Sequence, residues 1–122
     1  MSDEFIVKNV KEWLELPRID IPSLSSELDD GSTYEVKKVG FVPVDKSECE
    51  QHKIAASHIP GGKCALPTAV VKFDGEFELC SLPAELGEWV ISCVSMAHAG
   101  MNAFPSKVEF GILNGRAYAE ML

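Results

Sequence analysis

The stretch Leu82-Pro-Ala-Glu-Leu-Gly-Glu-Trp-Val-Ile-Ser-Cys-Val-Ser-Met-Ala-His-Ala-Gly-Met101 decides how the rest of the chain is read. Leu86, Trp89, Val90, Cys93, Val94 and Ala97 recur at i, i+3 and i+4, which places them on one broad face of a predicted α-helix. Pro83 suits a first turn, Glu85 and Glu88 lie near the positive end of the helix dipole, and Gly100 is the expected C-cap with Pro105 beyond it. Ile91 and Met96 fall outside that stripe. The helix therefore has more apolar surface than one sheet face takes up, and the N-terminal helix, through Phe5 and Trp13, or a second copy of the chain must cover the remainder.

A hairpin is expected on each side of this helix. After it, Asn114-Gly115 between two alternating runs predicts a type I′ turn that pairs Ile112 with Ala117, Phe110 with Ala119 and Val108 with Met121 on the core face. The other face then pairs Leu113 with Arg116, Gly111 with Tyr118 and Glu109 with Glu120. Before the helix, Ala69 to Cys80 turns at Asp74-Gly75, and a three-residue loop pairing Phe73 with Phe77 and Val71 with Leu79 puts four apolar side chains on one face.

Towards the N-terminus, Asp3 is the expected cap of a helix from Glu4 to Leu16 with Phe5, Ile6, Val10, Trp13 and Leu14 on one face and Pro17 ending it. Residues 17–33 hold Pro17, Pro22, Gly31 and several serines and read as an extended connector. Tyr34 to Val44 is rich in β-branched and aromatic residues and reads as a strand, with Pro43 placing it at a sheet edge or strand end. A short helix capped by Ser47 is expected between Asp45 and Gly62, broken by Ile59-Pro60-Gly61-Gly62. The fold class is α+β: residues 1–122 form one domain, a mostly antiparallel sheet of about five strands built from hairpins, with both helices on one face.

The element order is similar to that of small acidic secretion chaperones, which place a helix before strands, a dimerising helix and a final hairpin. The resemblance implies a dimer built on the central helix. The last helix of those chaperones has no counterpart here, and the 17–33 connector is a further departure.

Eleven Lys and Arg against nineteen Asp and Glu give a net charge of −8. Without a basic run interleaved with aromatics, an acidic surface disfavours nucleic acid. No apolar run approaches the roughly 20 residues that cross a bilayer, and the start Met-Ser-Asp-Glu lacks the features of a secretory signal, so the expectation is a cytoplasmic protein outside the membrane. In that compartment Cys49, Cys64, Cys80 and Cys93 read most simply as buried thiols.

Three constellations carry chemistry worth weighing. Cys49 and His52, followed by His58 and Cys64, supply four ligands of types that zinc accepts, though at unfamiliar spacing; the plainer reading is a helix-buried Cys49 with surface histidines. Glu109 opposite Glu120, with Tyr118 nearby, offers a cation site that Trp89 would complete in a pocket between sheet and helix, against the plainer reading of two solvated glutamates. Ile91, Met96 and Trp13 are the candidate interface. Cys93 and His98 lie five residues apart on one helix, a poor geometry for a catalytic pair, and Gly61-Gly62-Lys63 lacks the rest of a phosphate loop. No cofactor is implied and enzymatic activity is not favoured. The expected function is a non-catalytic binding or protein-interaction module acting as a homodimer; the alternatives are a binder of a small cationic or aromatic ligand, and a metalloprotein or enzyme built on Cys49 and His52.

Overall fold

The computed structural model describes residues 9–26 and 29–122. Five long strands form an antiparallel path: β2 (Ser32–Asp45) lies between β4 (Lys63–Phe73) and β6 (Ser106–Leu113), with β5 (Glu76–Ser81) beyond β4 and β7 (Arg116–Met121) beyond β6. Two short strands complete a seven-stranded sheet. β1 (Ser23–Leu24) runs parallel to β6, on the edge of β6 opposite β7, and β3 (Ser57–Ile59) pairs with the start of β4. The sheet is thus mixed and has seven strands where about five antiparallel ones were expected.

The prolines fall where the ladder can spare a donor. From Lys38 onward β2 has β4 on one side only, and Pro43 sits in that open portion. Pro67 in β4 sits in the gap left between β3, which ends its pairing at Ala65, and β5, which begins at Thr68. Its carbonyl, free of the ladder on that side, accepts from the Trp13 indole Nε1 at 2.9 Å and from the Leu82 amide at 3.1 Å.

A register shift between Val36 and Lys38 changes the parity of β2. Val36 before it and Val39 and Phe41 after it all face one core, which also takes Ala69, Val71, Val108 and Phe110. Val42, Val44, Cys64 and Leu66 face a second core. Because alternate residues of a strand point to opposite faces, the two cores lie on opposite sides of the sheet. Helix α3 (Gly87–His98), entered through a 3-10 turn at Ala84–Leu86, closes the first core with Leu86 and Val90. Helices α1 (Val10–Leu14) and α2 (Lys46–Gln51) close the second with Val10, Trp13 and Cys49. The expectation of helices on one face is therefore corrected: across the register shift, β2 buries Val36 on one side and Val42 and Val44 on the other, so it needs cover on both.

Other boundaries differ for local reasons. Asn9 caps α1, its side-chain Oδ1 accepting from the Glu12 amide at 2.9 Å; the expected Asp3 cap and first helical turns lie outside the described residues. The 17–33 connector contains β1 and the first residues of β2. Asp45 precedes α2 without a side-chain cap bond, and its carboxylate instead pairs with Lys63 at 2.7 Å. The first hairpin turns on two residues, Asp74 and Gly75, both at positive φ, so Phe73 pairs with Glu76 and Val71 with Glu78. The apolar grouping argued for the other register is lost because the two-residue turn puts Phe77 and Leu79 on the face opposite Cys80, which enters the first core. Phe77 lies on the outer face beneath the Lys37 and Lys72 ammonium groups, where no apolar partner is required. The Asn114-Gly115 hairpin has the expected register throughout. Among the described residues no helix is long and apolar enough to cross a membrane.

Candidate functional site

The feature that stands out is the end of α3. Leu86 and Val90 are sealed in the first core, while every residue from 95 to 103 is exposed, with Met96 at 45% and Met101 at 59%. The helix ends in a Schellman motif. The Met101 amide donates to the Met96 carbonyl at 2.8 Å and the Gly100 amide to the Ala97 carbonyl at 3.0 Å, with Gly100 at φ +90°. That reversal folds Met101 back beside Met96. Together with Trp89, Ala103, Phe104 and Met121 they line an apolar groove of about 200 Å³. Trp89 is set edge-on against Phe104 at 6.4 Å and against Phe110 at 6.1 Å. A second hollow of about 290 Å³ lies on the other side of Cys93 and Phe104, between α3 and β2, and carries Lys38, His98 and Asn102.

Of the candidate interface residues, Met96 lies on this groove, Ile91 is half-buried, and Trp13 is 6% exposed, deep in the second core. The described part of the N-terminal helix thus spends its indole on the opposite side of the sheet from α3; Phe5 lies outside the described residues. Met101, Phe104 and Met121 were missed in the sequence. Gly100 at the helix end was the available signal, since a Schellman turn brings the residues five apart across it into contact.

The Glu109, Glu120, Tyr118 and Trp89 set is divided between two faces of the sheet. Trp89 packs on Phe110, whereas Tyr118 pairs with the next residue, Gly111, on the opposite face. A Cβ on Gly111 would meet the Tyr118 ring at 2.6 Å, so the ring lies directly over the glycine. Glu109 and Glu120 are cross-strand partners as expected. The Glu109 carboxylate accepts from the Tyr118 hydroxyl at 2.6 Å and the Gly31 amide at 3.2 Å. Those bonds hold the Glu109 carboxyl below the usual carboxylate range, and the same bond to Glu109 pushes the Tyr118 hydroxyl up to about 12. The cluster ties β6, β7 and the start of β2 together.

In the proposed metal set, Cys49 and Cys64 are neighbours within the second core, both buried. Burial, followed by the adjacent Cys64 and Glu48, pushes the Cys49 thiol up to about 11. A metal needs thiolates, which this environment disfavours. His52 and His58 are exposed, although His58 is the backbone partner of Cys64 across β3 and β4. Among the described residues no three His, Cys, Asp or Glu side chains converge as a metal site would require. Compared with protein-family models, with curated proteins and with solved structures, the chain matches none of them.

Proposed function

We propose that the protein is a non-catalytic interaction module that self-associates through the end of its central helix. One observation carries this reading: Met96 and Met101, held together by the Gly100 turn, expose apolar surface contiguous with the Trp89 and Phe104 rings. Contiguous exposed apolar surface marks contact sites, and methionine, unbranched and polarizable, adapts to an apolar partner surface. A second copy supplies the same patch, so a twofold contact would set α3 against α3 without bringing any charged group of the groove into opposition. Electrostatics favour the helix end for this purpose, because the chain's net charge of −8 repels its copies elsewhere.

A small-molecule reading is supported by the hollow between β2 and α3. The groups there that can carry positive charge are Lys38 and His98, and no carboxylate lines it, so a cationic ligand is disfavoured. Sedimentation velocity across a micromolar concentration series separates the readings. Self-association that weakens in Met96→Glu supports the interaction module. A monomer at every concentration removes the homodimer.

A further inference from the structure

Far from the α3 groove, a cavity of about 450 Å³ opens at the junction of the two cores. Its walls are mixed, with Trp13 from the second core, Ile19 and Leu82 from the first, and Ile54 contributing the apolar part. Two cations, Arg18 and Lys53, line it, and no Asp or Glu does. In a chain of net charge −8 that is an unusual local excess of positive charge. Among the described residues neither cation has a carboxylate within ion-pair distance. Ser81 also lines the cavity and is only 5% exposed. Its hydroxyl has no hydrogen-bond partner among the described residues, and no wholly buried side-chain oxygen or nitrogen there is left unpaired, so the hydroxyl keeps some exposure of its own.

The backbone sets where both exposed cations stand on the rim. Arg18 forms a parallel bridge with Ser81, whose amide donates to the Pro17 carbonyl at 3.0 Å. Lys53 occupies the left-handed region at φ +57°, where the chain leaves α2, and the Ile54 amide closes that turn on the Cys49 carbonyl at 2.9 Å. A non-glycine residue in this region is disfavoured, yet the turn sets Lys53 and Ile54 together on the cavity wall.

We infer that this cavity binds a small organic monocarboxylate with an apolar body. Arg18 presents the planar fork that matches a carboxylate, Lys53 adds a second positive charge, and the Ser81 hydroxyl is a free donor. The volume falls within the range of small-molecule sites, roughly 300–1,000 Å³. An inorganic anion would satisfy the charges and leave the Trp13, Ile19 and Ile54 walls without a partner.

The test is a titration of the full chain with 3-phenylpropionate, followed by amide NMR and calorimetry, with neutral 3-phenylpropanamide and inorganic phosphate as controls. The carboxylate is expected to shift the amides of Arg18, Ile19, Ile54 and Leu82 and to bind about ten-fold more tightly than the amide, the size of one charge-assisted contact. Lys53→Gly is the informative variant: it deletes the charge while relieving the left-handed backbone, so thermal stability should hold or rise as carboxylate affinity falls about ten-fold. Arg18→Gln should weaken binding by at least as much. Equal affinity for carboxylate and amide, or an unchanged affinity in Lys53→Gly, overturns the inference. Phosphate producing the same shifts with equal affinity overturns the apolar half of it. Because the α3 groove shares no residue with this cavity, a monomeric protein that binds the carboxylate, or a dimer that does not, tells the two proposals apart.

Discussion

Leu86 and Val90, where the chain enters α3, are sealed against the sheet, whereas Met96 and Met101 at its end stand 45% and 59% exposed. Both ends carry large apolar side chains at helical spacing, and both belong to one continuous stretch. What separates them is the surface opposite. The entry half lies over β2, β4 and β6, where Val36, Ala69, Val71 and Phe110 supply a dense counterface. The exit half has Trp89 and Phe104 beneath it and nothing above among the described residues. Apolar periodicity marks a helix side that can be buried. Whether it is buried depends on what the rest of the fold brings to it.

The contrast between the two halves is open to direct attack. Leu86→Ala leaves a cavity in a close-packed core and should cost about 2–5 kcal/mol, while Met96→Ala should change monomer stability by about 0.5 kcal/mol or less. Urea denaturation measures both, and equal costs would erase the distinction between a buried and a presented half. Gly100→Ala forces a Cβ into the left-handed region and should cost about 1–2 kcal/mol. The same substitution should lower self-association by releasing Met101 from Met96. Loss of stability with unchanged association would mean the turn has no part in shaping the groove.

A milder difference concerns the thiols. Burial pushes Cys49 and Cys80 up to about 11 from an ordinary value near 9. The unfolded chain therefore releases these protons first, so stability is complete below pH 9 and declines as the pH rises from 9 towards 11. Thermal melts across that window should show the decline, and Cys80→Val, which removes one titrating group from the first core, should make it shallower. Cys93 is half-buried beside the groove, so an aromatic disulfide reagent should label it in the native protein well before the three buried cysteines. Simultaneous labelling of all four would show that the cores open as easily as the groove.

Much of this architecture was legible in local signals. Asn114-Gly115 specified a hairpin down to its register, because a two-residue turn at positive φ admits few alternatives. The Gly100 stop of α3 was equally local. Asp74-Gly75 carried the same turn chemistry, and the longer loop was preferred there only to gather Val71, Phe73, Phe77 and Leu79 on one face. That preference assumed that the apolar residues of both strands share one face; with the two-residue turn Cys80 is the β5 side chain in the first core, and Phe77 finds lysine ammonium groups on the other face. The candidate ligand set failed to converge for a related reason. Trp89 and Tyr118 both approach β6, but at Phe110 and Gly111, which point to opposite faces.

The sequence by itself determined the hairpins, the central helix and its stop, since each depends on residues within a turn or two of one another. The tertiary structure alone decided that β2 buries residues on both sides. The shift at Val36 and Lys38 resets its parity, and only then do Trp13 and Cys49 fall opposite α3. It alone also decided which apolar half of α3 is covered, and it brought Arg18, Lys53 and Ser81 to one cavity from three separate segments. Such placements depend on which strands pair and which faces meet, and no local spacing records that.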